Sequence, residues 1–229
     1  MSNKKIVDSL YNVTKCIICF YIFLESAYIQ RLIIKMFHIT NLTDSIKTIL
    51  SAVSNICIMI IFFFIYRKEL IKEWKIFKKN YKDNLDISFK YWIYGLIGMI
   101  LSNIIITLIF GSSQSNNEQA LRKLINAVPF VMLINAGIIG PINEEIIFRK
   151  GFKNVFKNKW LFILISGIFF GMMHVISATT INQFLYFIPY SCLGVSFGIM
   201  YYKTDTIYTS LFAHMFHNII LTTLNIILI

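Results

Sequence analysis

Charge is what this sequence has least of. Asp, Glu, Lys and Arg make up 14% of its 229 residues, and hydrophobic residues make up 57%. Soluble domains carry about 25% charged and roughly 45–50% apolar residues. An ordinary water-soluble domain is therefore excluded. Acidic residues are scarcer still, 11 against 22 Lys and Arg, for a net charge of +11. In a soluble protein that imbalance would point to nucleic acid. Here the basic residues fall in short connections between apolar runs, where they read as topology signals and contacts with anionic lipid. No nucleic-acid partner is expected. The four cysteines are Cys16, Cys19, Cys57 and Cys192. Cys16 and Cys19 form a CxxC inside an apolar run without redox-type flanks, so they read as small buried residues. An HExxH motif is absent, and there is no clear internal repeat. After Lys4 and Lys5 no small-residue cleavage site precedes a polar region, so the first apolar run reads as a retained helix and not a cleaved signal peptide.

What is present is a succession of apolar runs of membrane-crossing length. Seven spans are expected (six to eight are compatible), at about 7–29, 46–66, 91–110, 124 to beyond Pro141, 160–177, 181–201 and 207–229. The fold class is all-α, a polytopic transmembrane helical bundle, with 1–229 as one integral membrane domain. Within it, 1–123 holds the N-terminal spans and a basic cytoplasmic segment, and 124–229 holds the chemistry-bearing core. The connections at 67–90 and 150–159 are rich in lysine and should face the cytoplasm. The segment 111–118 lacks Lys and Arg, and 177–182 has no charge. These should lie outside, giving a multi-pass protein of the cell membrane with its N-terminus in the cytoplasm and its C-terminus outside. Arg31, Lys35 and Lys47 run against this in the first connection. Leu70, Trp74, Phe77 and Tyr81 recur at helical spacing between lysines, which fits an amphipathic interfacial helix or a plain basic loop. Gly167-x-x-x-Gly171 and Gly194-x-x-x-Gly198 mark faces where helices can approach closely. Pro141 and Pro189 are expected to kink or break their helices.

Against that apolar background a few polar residues stand out. The fourth span contains Glu144-Glu145-x-x-x-Arg149, and adjacent carboxylates in a membrane span are costly. Glu145 and Arg149 are four apart with the acid first, the favourable order for an ion pair. Glu144 is rotated about 100° from its neighbour and is free to point into a cavity. The fifth span contains Phe170 and His174 on one face. The seventh contains His214 and Asn218, also four apart, two donors that can stabilise an oxyanion or tie helices together. His217 either faces inward with His214 or is a bystander. A carboxylate and a histidine from different spans can share and activate a water. The set suits hydrolysis of an amide bond.

Glu-Glu-x-x-x-Arg at 144–149, Phe-x-x-x-His at 170–174 and His-x-x-x-Asn at 214–218, in that order, resemble the three motifs of the CPBP family. These are the CAAX proteases and bacteriocin-processing enzymes, also called the Abi family. The resemblance covers the chain from about Leu124 onward. It implies a glutamate-dependent intramembrane endopeptidase with no required metal or other cofactor. It further implies Glu144 and His174 as the pair holding the water, His214 and Asn218 as the oxyanion hole, and Glu145 and Arg149 as supporting residues. The implied partners are the lipid bilayer and a membrane-associated peptide or protein substrate. Other readings stay open at this stage. One is a zinc protease using Glu144, His174 and His214 as ligands. Another is a non-catalytic scaffold or bacteriocin immunity protein, and a third is a transporter. The Ile-, Lys-, Asn- and Phe-rich composition resembles that of an AT-rich bacterium, where a bacteriocin or quorum-sensing precursor is a more natural substrate than a prenylated protein.

Overall fold

A computed structural model of the chain describes residues 3–111 and 115–228. Residues 1–2, residues 112–114 of the polar 111–118 connection, the side chains of Asn3 and Lys4 and the terminal Ile229 lie outside the described residues. The described residues form helices joined by short connections and contain no strand. Six helices are long and apolar enough to cross a membrane. They are α1 (Asn3–Leu24), α3 (Asp44–Lys79), α4 (Tyr81–Phe110), α6 (Pro129–Val155), the Ile181–Thr204 unit and α10 (Ile207–Ile227). The Ile181–Thr204 unit comprises α8 (Ile181–Leu185) and α9 (Phe187–Thr204). A seventh apolar helix, α7 (Lys159–Met173), is shorter. The amphipathic α2 (Ser26–Met36) and α5 (Asn116–Ala127) complete the set. The chain is thus a polytopic helical bundle.

Several boundaries differ from those read in the sequence. The expected first span is two helices with a break at Glu25. The basic segment after the second span is neither a loop nor a separate interfacial helix. It continues α3 without interruption to Lys79, and after Asn80 the chain turns directly into α4. At 36 residues α3 is about 54 Å long, well beyond the ~30 Å hydrocarbon core, so it projects as a stalk alongside the first turns of α4. Packing explains why it stays helical. Leu70, Glu73 and Phe77 are buried, and Trp74 and Phe77 pack against Tyr208 of α10.

Pro141 does not break α6. A proline lacks the N–H that closes a helical turn. The preceding turn, Asn135–Ile139, widens to π geometry, with the Gly140 N–H bonded to the Asn135 carbonyl five residues back. A second π turn follows at Ile146–Gly151. The Glu-Glu pair therefore sits on a short α segment (Gly140–Glu145) between two wide turns, an arrangement that re-aims side chains and is frequent at functional sites. Pro189 lies in the first turn of α9, where no N–H partner is needed, just after the turn at Tyr186 that separates α9 from α8.

At the centre, α9 packs antiparallel to α7 across the two glycine motifs. A Cβ on Gly194 would lie 2.7 Å from the Gly167 carbonyl oxygen. Only glycine allows the two backbones to meet there. On its other side α9 meets α4, where Gly95 abuts Ser196. The bundle then places α3, α6 and α10 side by side. Asn55 donates to Asn135 (2.9 Å), and Asn143 donates to the Asn55 carbonyl (2.9 Å). Leucine, isoleucine and phenylalanine side chains on the outer faces of α3 and α4 are exposed, as a lipid-facing surface requires.

Candidate active site

The widened turns of α6, the end of α7 and the middle of α10 converge on one point. Glu145 and Arg149 form the expected ion pair, Oε2 to Nε 3.4 Å, with both side chains fully buried. Arg149 also donates to the Ser166 carbonyl (3.2 Å). Its guanidinium carbon lies 5.1 Å from the Phe170 ring centre and 5.7 Å from that of Phe197. The other Glu145 oxygen contacts His214 Nδ1 at 3.1 Å. A carboxylate only accepts, so the proton of that bond sits on Nδ1. This leaves His214 Nε2 facing Glu144 Oε2 at 3.6 Å. His174 caps α7, and its Nδ1 lies 2.8 Å from the Phe170 carbonyl. A carbonyl also only accepts, so His174 donates through Nδ1. Its Nε2 is then turned to the same Glu144 oxygen, at 4.0 Å.

Glu144 thus differs from its neighbour as the helical rotation predicts. Glu145 is buried and paired, whereas Glu144 is 20% exposed, and its Oε2 has no hydrogen-bond partner. His174 stacks on Tyr190 (4.4 Å, 25°), and His214 stacks on Phe197 (4.8 Å, 24°), which fixes both rings. Phe170 links the parts: its carbonyl holds His174, and its ring meets His214 edge-on (5.4 Å).

Asn218 has a second attachment. Its Nδ2 donates to the Ala136 carbonyl (2.9 Å). Ala136 is the residue five before Pro141, so its carbonyl falls opposite the N–H that proline lacks. One amide hydrogen of Asn218 fills that gap, and the other is left for a ligand. His217 faces inward and is buried, accepting at Nδ1 from the Trp92 indole (3.3 Å). A cavity of about 430 Å³ adjoins the cluster, and His174, His214, His217 and Asn218 all line it. Among the described residues, no group of three His, Cys, Asp or Glu side chains is arranged to hold a metal ion.

The six residues singled out in the sequence therefore converge on one cluster, and three of them, His174, His214 and Asn218, line the cavity beside it. The sequence reading missed the residues that brace them: Trp92, Ser166, Tyr190 and Phe197. Nothing in linear spacing ties α4 or α9 to the histidines. An aromatic residue one helical face away from a glycine motif is the faint signal available. If Arg149 and Lys150 marked the membrane surface, Glu144 would lie too shallow to meet His174. Both cations are instead buried, neutralised by Glu145 and Glu73, and α6 runs on to Val155. Glu144 lies about 16 Å from that end and His174 about 22 Å from the start of α7, close enough in height to meet.

Residues 124–220 match the family model described as type II CAAX prenyl endopeptidase Rce1-like. The chain is 32% identical over 149 residues to the Bacillus subtilis (strain 168) protein named "Putative membrane peptidase YdiL", covering 62% of this chain and 58% of that one. It is 29% identical over 190 residues to an "Uncharacterized protein" of Mycoplasma capricolum, covering 78% and 55%. It is 24% identical over 148 residues to "UPF0177 protein YxdF" of Lactococcus lactis, covering 62% and 80%. The chain spans little more than half the length of the first two of these relatives. No solved structure matches. Glu144, His174, His214 and Asn218 all fall within the stretch, residues 124–220, that is similar to the Rce1-like CAAX prenyl endopeptidase family.

Proposed function

We propose that the protein is an intramembrane endopeptidase in which Glu144 activates a water to hydrolyse a peptide bond of a membrane-associated peptide or protein. One observation carries this reading. The unpartnered Oε2 of Glu144 faces the unprotonated Nε2 of His174 at 4.0 Å, two acceptors at a separation that one water bridges by donating to both. Glu144 takes the proton as the water oxygen attacks the scissile carbonyl carbon. It then passes that proton to the departing amine as the C–N bond breaks, leaving a carboxyl group on the other product.

The oxyanion formed in between needs donors. Asn218 has one N–H to offer. His214 offers Nε2–H only as an imidazolium, because Nδ1–H is committed to Glu145. The Glu145 carboxylate balances that cation, and Arg149 stands behind it, so the four charges of Glu144, Glu145, Arg149 and His214 cancel within the low-dielectric interior. The zinc reading is less well supported. It would place all three ligands within bonding distance of one ion, whereas no such grouping is present among the described residues. The family match and the peptidase name of the Bacillus relative agree with proteolysis. For substrate we favour a bacterial peptide, such as a bacteriocin or quorum-sensing precursor, on the composition of the chain.

The test is cleavage by the purified protein in detergent, offered peptides encoded beside it in the genome. The wild type cleaves, and Glu144→Gln does not, while keeping the wild-type melting temperature. Cleavage by Glu144→Gln at the wild-type rate would sink the reading. Activity survives chelators; loss on chelation that zinc restores would favour the metal mechanism.

A further inference from the structure

We infer that the cavity lined by His174, His214 and Asn218 opens only at the end of the bundle opposite its lysine-rich face. The substrate is then a peptide segment on the non-cytoplasmic side of the membrane, such as part of an exported peptide or of a membrane protein's external stretch. The substrate class rests on the endopeptidase reading above; the direction of access does not.

Three sets of residues carry the inference. The first is the mouth. From His174 and His214 the cavity runs along α10 through Asn218 and Thr222 to Asn225 and Leu228, at the far end of that helix. Asn117, Glu118 and Arg122 of α5 rim it, the last two paired at 2.9 Å. None of the lysines of 67–90 or 150–159, nor Lys203, lines it.

The second set is the floor. Immediately toward the lysine-rich end lie the fully buried Glu145–Arg149 pair and the fully buried Phe148, Phe162 and Phe197. Below them Glu73 of α3 receives Lys150 (2.5 Å) and the Tyr201 hydroxyl (2.8 Å) on one oxygen and the Ile207 N–H (2.8 Å) on the other. Thr206 also donates to the Glu73 carbonyl (3.0 Å). This lock ties α3, α6, α9 and α10 together and closes the route from that side.

The third is charge. The stalk of α3 and α4 and the turn between α6 and α7 carry most of the chain's basic residues. Arg31, Lys35, Lys47, Arg122 and Lys123 are the few at the other end. Lysine- and arginine-rich connections are retained in the cytoplasm. The sealed end is therefore cytoplasmic, and the mouth faces out. The walls suit an extended peptide. Met99, Leu193, Pro189 and Tyr190 are apolar flanks, and Asn103, Asn117 and Asn225 offer amide groups to a peptide backbone.

The test uses cysteine variants of the full chain and a membrane-impermeant maleimide, with the parent chain as blank. Its own cysteines are buried or half-buried. In intact cells Asn225→Cys at the mouth and Thr222→Cys inside the cavity take up the reagent, and Lys157→Cys at the basic end does so only after lysis. Labelling of Lys157→Cys in intact cells, with Asn225→Cys protected, would overturn the orientation. Labelling of Asn225→Cys alone, in a Thr222→Cys variant that melts like the parent, would overturn the open cavity. None of these readouts needs catalysis. A correct pattern with no cleavage by wild type in detergent would fault the protease reading and leave the access route standing.

Discussion

Asn218 serves two ends with one amide group. It repairs the backbone where Pro141 removes a donor, and its remaining N–H is on the cavity wall. Asn218→Ala should therefore fail in two separable ways. Turnover falls by about 10²–10³ if the amide stabilises the oxyanion. The buried Ala136 carbonyl, left without a partner, costs about 1–3 kcal/mol of stability. Steady-state cleavage and denaturant melts in detergent read the two losses independently. Arg149 is the other residue whose context sets its effect. It is fully buried, so Arg149→Ala strands the Glu145 charge and should cost about 3–5 kcal/mol. The double variant Glu145→Gln, Arg149→Met should recover much of that stability in a double-mutant cycle, yet not the activity, because His214 loses its counterion.

At the level of elements, α6 owes its shape to one proline between two wide turns. Pro141→Ala restores an N–H that can compete with Asn218 for the Ala136 carbonyl. The variant is expected to fold as well as the parent but to lose up to about 10²-fold in cleavage, the scale on which a displacement of about 1 Å acts. A melting temperature well below wild type, with cleavage unchanged, would contradict this account of the helix. The α7–α9 contact behaves oppositely. Gly194→Val drives a side chain into the Gly167 backbone and should destabilise by at least about 1–3 kcal/mol, with activity lost in step with folded protein. The spacing of the glycines already implied that contact in the sequence. The first π turn was not legible, because it depends on the Ala136 carbonyl finding a donor on α10.

For the whole molecule, the lock around Glu73 joins the N-terminal spans to the matched C-terminal segment. Glu73→Ala leaves Lys150 buried without its partner and should cost about 3–5 kcal/mol. Its melt is expected to loosen α3 and α10 together, which hydrogen exchange at their amides would register. The lock also accounts for the failure of the sequence to place the membrane boundary. Lys150 looks like a loop lysine in the linear pattern, and only its partner 77 positions away shows that it is internal.

Composition and periodicity by themselves determined that this chain is an all-helical membrane bundle, because apolar runs of that length have no other stable arrangement in lipid. Helical spacing also determined that Glu145 would pair with Arg149 and that Glu144 would point elsewhere, since both follow from 3.6 residues per turn. What Glu144 points at depended on two helices distant in sequence, α7 and α10. The tertiary structure alone decided that His174 and His214 present Nε2 to one carboxylate oxygen, that Asn218 mends the proline gap, and that these three residues line one cavity. Those outcomes rest on contacts between elements, which no local pattern in the chain encodes.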